Sequence, residues 1–429
     1  MAATRRNTAA TQRIAASVVT AAACASSLAG CASGTGTPGH GAAGAPRPEH
    51  RPARPPGTVV RLIGDGSTAY TGAQPHQPRP ARLKSGEKPP QFVVFSWDGA
   101  GEDSRRLFSH VRKVAKENNA TMTFFLSGVY LLPEDKRDLY RPPRHAPGSS
   151  DIGFNHTRGI ADTVRQLRLA WLEGHEIGTH FNGHFCGPGG VGQWSVDEWK
   201  SEIEQAKQFV QTWKTTSGLK DLPPLPFDYG RELIGARTPC LEGRENFMKA
   251  AAELGFRYDS SGVNNQVWPE KRHGLWDLSM QLVPFPGHTF EQLTMDYNFM
   301  VNQSGTQTQG DPAHYEHWGN QMRDGLLRGF HRAYDGNRAP LIIGNHFESW
   351  NGGTYMRAVE DVVKEVCTKP EVRCVSFHQL VDWLDAQDPQ ILARLRTLEV
   401  GEAPRQGWAS FLSARPAPAP KGVPGAPAS

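Results

Sequence analysis

The 429-residue chain reads as an α/β protein on two observations. Short continuous apolar runs of strand length alternate with longer segments whose apolar residues recur at helical spacing. Polar side chains stand at the ends of four of those runs: Asp98, His180, Arg237 and His346. Runs without polar alternation suit strands buried on both faces, as in a parallel sheet. Barrel-type α/β folds place their active sites at the carboxyl ends of the strands, so these four residues are the first functional candidates.

Taken in order, Thr58 to Ile63 has strand character and is followed by a Gly64-Asp65-Gly66 turn. Gln91 to Trp97 is a buried strand ending at Asp98, with Gly99, Ala100 and Gly101 as its turn. Residues 103–117 carry a helical stripe, and Ala120 to Leu126 is a second buried strand. Prolines and charges from Leu131 to Asn155 predict a long surface insertion. A helix over 160–172 leads to the strand His175–Thr179. Ser195 with Glu198 three residues later is a capping box. It opens a helix striped by Trp199, Ile203, Ala206, Val210 and Trp213. Leu233–Ala236 is a short strand ending at Arg237; Phe247, Ala251 and Leu254 line a helix that Gly255 stops. Phe256–Asp259 follows as a strand, and then the pattern lapses. It returns at the buried strand Pro340–Asn345, which ends at His346. Val359, Val362, Val363 and Val366 mark a helix, Val372–Phe377 the last strand, and Leu380–Leu384 the closing helix.

The two ends have a different composition. Three arginines precede an Ala-rich apolar run that closes on Leu28-Ala29-Gly30-Cys31, so residues 1–30 read as a secretory signal. The last four residues resemble the lipobox of bacterial lipoproteins, which implies a lipid anchor on Cys31 and an extracytoplasmic, membrane-attached protein. Residues 31–57 are too rich in Gly, Ala, Pro and Arg to bury a core and read as a tether; 58–90 read as an N-terminal extension. Residues 91–386 form the single large domain, and 387–429 a C-terminal helix with a disordered tail. Without the three signal arginines, 44 basic residues face 43 acidic ones, a balance that argues against a nucleic-acid partner. Cys186, Cys240, Cys367 and Cys374 remain after the signal and the anchor. Four cysteines outside the cytoplasm predict two disulfides with three connectivities. Cys186–Cys240 with Cys367–Cys374 is preferred, because the second pair closes a short helix-to-strand loop.

His180 and His184 lie four residues apart, on one face if the segment is helical, a geometry that holds divalent ions. Their surroundings, Gly-His-Glu-Ile-Gly-Thr-His180-x3-His184, resemble the metal-binding motif of the polysaccharide deacetylases, the NodB-homology carbohydrate esterases. Phe95-Ser-Trp-Asp-Gly-Ala100 resembles that family's opening Thr-Phe-Asp-Asp motif. Ala236-Arg237-Thr238-Pro239 is similar to its Arg-x-Pro motif. Leu254 to Ser261 resembles a strand of chitin-deacetylase-like members, and Ile342-Ile-Gly-Asn-His346 its final motif. The motifs stand in family order across residues 91–386. The resemblance implies a distorted (β/α) barrel with one catalytic domain. It also implies a metal-dependent hydrolase that removes N-acetyl groups from an N-acetylglucosamine-containing cell-wall or chitin-like polysaccharide, working as a monomer.

Carried over residue by residue, the resemblance makes His180 and His184 metal ligands, Asp98 the general base, Arg237 its clamp and His346 the general acid. Gly99 then replaces the second, metal-binding aspartate. In the other register Asp98 is the ligand and Trp97 stands in place of the base; the strand phase of Ser96 and Trp97 favours the first. Two imidazoles suggest zinc, with cobalt as a substitute. Glu102 or Asp103 are candidates for the missing ligand. Asp259 either tunes a neighbour or pairs structurally. His314 and His317 lie in an unpatterned polar stretch and read as solvated. Trp194, Trp268, Trp276, Trp318 and Trp350 are candidate sugar-stacking platforms. The pairing Cys186–Cys240 would tie the loop after His184 to the loop after Arg237. The competing reading, motivated by Gly99, is a catalytically weak or silent relative that binds wall glycan.

Overall fold

The strand Gln91–Asp98 (β3) is buried along its whole length, and the rest of the domain is arranged about it. The computed structural model describes residues 55–413. The signal segment 1–30, the anchor Cys31, nearly all of the 31–57 tether and the end of the tail lie outside the described residues. Ahead of β3 stands a small hairpin of Arg61–Ile63 (β1) and Thr68–Tyr70 (β2). After it the chain alternates: Leu107–Glu117 (α1), Thr123–Leu126 (β4), Thr157–Leu172 (α2), Glu176–Thr179 (β5), Val196–Ser217 (α3), Tyr229–Glu232 (α4), Gly235–Ala236 (β6), Arg244–Glu253 (α5) and Tyr258–Asp259 (β7). Five short strands follow: Val263–Asn264 (β8), Lys271–Arg272 (β9), Leu275–Asp277 (β10), Met280–Pro284 (β11) and Glu291–Leu293 (β12). Then come Asp296–Ser304 (α6), Tyr315–Asp335 (α7), Leu341–His346 (β13), Trp350–Val366 (α8) and Val372–Cys374 (β14). Phe377–Ala386 (α9), Pro389–Leu395 (α10) and Gly407–Ser413 (α11) complete the described chain.

The main sheet runs β13-β3-β4-β5-β6-β7-β10-β9, parallel from β13 to β10, with β14 pairing in parallel with the first residues of β3. This is the expected α/β architecture, in the form of a curled sheet whose two edge strands do not pair with each other among the described residues. Alternation along β3 feeds two cores. Val93, Phe95 and Trp97 pack with α1, α2, α3 and α8 on one face. Phe92 and Val94 pack on the other with Phe125, Tyr258, Ile342 and the α9 residues Phe377, Leu380 and Trp383. By the same alternation Ser96 and Asp98 belong to this second face. In parallel register His346 lies beside Asp98, and Thr179 beside Ala236. The four strand-end residues are thereby delivered to one rim.

Several expected bounds contract: β1 begins at Arg61, β4 at Thr123, β6 at Gly235, β7 at Tyr258, and β14 ends at Cys374 with Ser376 already capping α9. The larger correction concerns residues 260–339. The 21-residue α7 was hidden because glycines occupy its buried stripe beside Trp318, Met322, Leu326 and Phe330. A Cβ at Gly329 would lie 2.2 Å from Val283 Cγ1 of β11, and one at Gly319 2.4 Å from Thr354 Oγ1 of α8. The glycines let the helix seat closely, yet they carry no apolar signal and lower helix propensity. The 131–155 segment is another correction. It is no mere surface excursion, since Leu131, Leu132 and Tyr140 are fully buried. Both expected disulfides form, Cys186–Cys240 and Cys367–Cys374. Among the described residues no helix is long and apolar enough to cross a membrane.

Candidate active site

Asp98 ends β3 almost completely buried. Its Oδ1 accepts from Arg237 Nη1 at 2.9 Å. Arg237, also fully buried, donates from Nη2 to Ser96 Oγ and Ser260 Oγ at 2.8 and 2.9 Å, and from Nε to the Ser260 carbonyl at 3.2 Å. Its guanidinium lies over the Phe125 ring, 5.0 Å from the centroid. Burial pushes the Asp98 carboxyl up, but Arg237 and then His180 and His346 outweigh it and hold the group below the usual carboxylate range. Asp98 is a carboxylate at neutral pH, with Oδ2 left outside the Arg237 pair.

His180 follows β5, and its backbone N–H donates to the Leu126 carbonyl at 2.8 Å. Its ring Nδ1 lies 2.8 Å from the Arg237 carbonyl. A carbonyl only accepts, so Nδ1 carries the proton and the Nε2 lone pair is left free, the arrangement of a metal-ligating imidazole. Burial, foremost, pushes His180 down to about 3 despite nearby Asp98, and it also lowers His184. Both rings are neutral, the form that binds metal. Their centroids are 5.0 Å apart.

The helical face considered for this pair does not exist. Phe181 and His184 both have left-handed backbone, at φ 61° and 57°, so a tight loop brings the rings together. That loop is gripped from outside. Glu202 of α3 accepts from the Asn182 N–H at 3.1 Å and from the Tyr140 hydroxyl at 2.9 Å; Tyr140 in turn accepts from the Gly183 N–H at 3.1 Å. A Cβ at Gly183 would stand 2.8 Å from the Tyr140 ring. Burial pushes the Glu202 carboxyl up to about 7. Cys186–Cys240 then links the loop after His184 to the turn Pro239–Leu241 after Arg237, as expected.

His346 ends β13. Its ring Nδ1 lies 2.7 Å from Asp296 Oδ1, and its backbone N–H donates to Asp296 Oδ2, also at 2.7 Å. Burial works against the imidazolium, but the Asp296 carboxylate prevails and holds His346 above its ordinary value. Asp296 was not legible in the sequence. It sits in the unpatterned stretch at the first turn of α6, carried to β13 by the bridge between Met295 and Gly344 and by the Thr294 hydroxyl, which donates to the Ile342 carbonyl.

Asp98, His180, His184 and His346 line a cavity of ≈ 300 Å³ together with Gly99, Glu102, Ser127, Tyr130, Phe154, Asn155 and Trp350. Two neutral imidazoles with a free nitrogen fit a divalent ion, in a site that leaves positions for water and substrate oxygen. Neither candidate for a third ligand joins them. Glu102 Oε2 accepts from the Ser109 N–H at 3.0 Å, Asp103 pairs with Arg105 at 2.8 Å, and neither carboxylate clusters with the two imidazoles among the described residues. Among the described residues the one cluster of three ligand-type atoms is His184 with Cys186 and Cys240. Its sulfurs are joined in the disulfide and offer no thiolate. Arg237 and Asp98 form a buried ion pair at 2.9 Å, the contact a clamp on that carboxylate requires. Asp259 accepts from Arg244 Nε at 2.5 Å and from the Ser261 N–H at 2.9 Å, a structural pairing. His314 and His317 are exposed. Of the five candidate tryptophans, Trp194, Trp268, Trp276 and Trp318 are core; Trp350 alone lines the cavity.

No family model and no curated protein matches this chain. Among solved structures it is similar to a candidate polysaccharide deacetylase from Mycobacterium smegmatis (16% identity, 72% of this chain and 94% of that one, TM-score 0.45). Similar too is the Xyl-CE4 domain of a multidomain xylanase from the hindgut metagenome of Trinervitermes trinervoides (12% identity, 69% and 92% covered, TM-score 0.37). A third is a CE4 family pseudoenzyme from Bacillus anthracis (10% identity, 68% and 66% covered, TM-score 0.37).

Proposed function

We propose that this chain is a metal-dependent hydrolase that removes N-acetyl groups from an N-acetylglucosamine-containing cell-wall or chitin-like polysaccharide. One observation carries the reading. The motif residues meet at one rim, with an ionised Asp98 clamped by Arg237, two neutral imidazoles, and a His346 whose proton is held more tightly than usual because Asp296 pairs with it. Such a set divides into base, ion site and acid, the parts that metal-assisted amide hydrolysis needs.

His180 and His184 would hold the ion, zinc or cobalt, which when bound supplies Lewis acidity to the acetyl carbonyl. Asp98 would take the proton of the attacking water through Oδ2, while Arg237 keeps the carboxylate in place. His346 would give its proton to the amine as the carbon–nitrogen bond breaks, leaving acetate and a free amino sugar. Export, a lipid anchor on Cys31 and action as a monomer at the outer face of a bacterial membrane complete the proposal, with no nucleic-acid partner. Gly99 favours a second reading, a weak or silent relative that binds wall glycan, because it leaves an ion only two protein ligands.

The first test is zinc and cobalt calorimetry on metal-stripped residues 58–429. Micromolar or tighter binding that His180→Ala abolishes is expected. Acetate release from N-acetylated oligomers, lost in Asp98→Asn, separates the two readings; no zinc binding and no acetate release would leave the glycan binder.

A further inference from the structure

The cavity holds polar atoms that this mechanism leaves unused, and they gather at the Gly99 end. Tyr130 stands on the single turn Gly128–Leu131 that follows β4. Its ring lies across the turn after Asp98. A Cβ at Gly101 would be 2.9 Å from Tyr130 Cδ2, and one at Gly99 would be 3.7 Å from both Cε2 and the hydroxyl. Gly101 has no left-handed backbone, so space for this ring, and not conformation, accounts for the missing side chain. Tyr130 is fixed at both backbone ends. Its N–H donates to the Ser127 carbonyl at 3.0 Å, and its own carbonyl accepts from Asn155 Nδ2 at 3.1 Å. The hydroxyl has no hydrogen-bond partner among the described residues.

Ser127 is the residue directly after β4, on the strand beside both β3 and β5. Its Oγ is fully buried and also lacks a partner among the described residues. A buried hydroxyl without a partner is an unmet hydrogen-bonding demand. Both residues line the cavity that holds Asp98, His180 and His346, with the Ser127 Oγ lying just beneath its surface.

We propose that Tyr130 Oη, with Ser127 Oγ from the same turn, donates to the acyl oxygen of the bound substrate. This deepens the deacetylase reading and rests on it. An ion with one protein ligand fewer is held less firmly, and polarisation of the acyl oxygen then falls to fixed hydrogen-bond donors aimed where negative charge develops. Burial, and after it the Glu348 carboxylate, pushes the phenol up to about 12, so Tyr130 is a donor throughout the neutral range.

The test compares wild type, Tyr130→Phe and Ser127→Ala by calorimetry with acetate, on zinc-loaded and metal-free protein, alongside zinc affinity and kinetics on N-acetylated oligomers. Tyr130→Phe removes one cavity-facing oxygen and should keep its melting temperature and zinc affinity. It should weaken acetate at least about tenfold and lower kcat about 100-fold or more with KM little changed. Ser127→Ala removes an unpartnered hydroxyl without loss of stability and should move acetate affinity the same way, by less. Acetate affinity equal in wild type and Tyr130→Phe, or no acetate binding by wild type in either metal state, overturns the proposal. Tyr130-dependent acetate binding in a protein that releases no acetate supports the donor site and defeats only the hydrolase reading.

Discussion

Arg237 shows how much of the candidate site rests on single side chains. It is fully buried, and its four hydrogen bonds reach Asp98, Ser96 and both oxygens of Ser260. Arg237→Ala leaves an uncompensated carboxylate in the interior, at a cost of about 3–5 kcal/mol, to be read from denaturant unfolding at pH 7. The pH dependence has a definite sign. Asp98 is depressed in the fold, so its contribution is present above the ordinary carboxylate value and is lost as pH falls through the lower folded value. The difference between wild type and variant should therefore narrow in acid. Gly99 gives the complementary prediction. Its backbone is left-handed at φ 73°, and a Cβ would meet nothing closer than 3.7 Å. Aspartate tolerates that conformation better than most residues. Gly99→Asp should fold, at a cost of about 1 kcal/mol, and should tighten zinc at least about tenfold in calorimetry.

At the scale of elements, the two histidines are set by what grips their loop. One grip is covalent: Cys186–Cys240 closes 54 residues. A loop of that length contributes about 4 kcal/mol in the chain-entropy account, against about 2 for the 7-residue Cys367–Cys374 loop. Paired serine substitutions at 186 and 240 should therefore lower the melting temperature more than those at 367 and 374. They alone should also weaken zinc, because they free the loop after His184. The other grip is the buried Glu202–Tyr140 pair. Glu202 is raised in the fold to about 7, so stability is fully present below the ordinary glutamate value and is lost as pH rises through the folded one. Glu202→Gln has no such loss. Between pH 4.5 and 7 wild type should fall relative to it by on the order of 3 kcal/mol, measured by urea unfolding across that window.

For the whole molecule, the proposed activity would take its pH range from the strand-end groups together. Asp98 lies below its ordinary value and His346 above, the latter held by Asp296. kcat/KM for acetate release should therefore show a broad plateau, its acid limb below the carboxylate range and its alkaline limb above that of a free imidazole. Asp296→Asn should move the alkaline limb to lower pH and leave the acid limb in place. The groups behind that plateau were unequally legible. Asp98, His180, Arg237 and His346 follow apolar runs of parallel strands, and such runs announce themselves because both faces are buried. Asp296 opens the short helix α6 in a stretch without apolar period, and its value lies in a contact 50 residues away. The glycine-lined stripe of α7 withheld the helix from any apolar count.

The sequence by itself determined the α/β alternation, the strand ends that carry chemistry, the Ser195–Glu198 cap and the four cysteines that pair. Each is a local signal, written in hydrophobic period, turn residues or residue type. Only the tertiary structure decided that a left-handed loop brings His180 to His184, that Asp296 holds His346, and that Glu102 and Asp103 do not cluster with the imidazoles. Tyr130, whose ring fills the space left by Gly101, belongs with these. Such facts depend on which strands become neighbours and how far side chains reach between them, and no local pattern of residues encodes that distance.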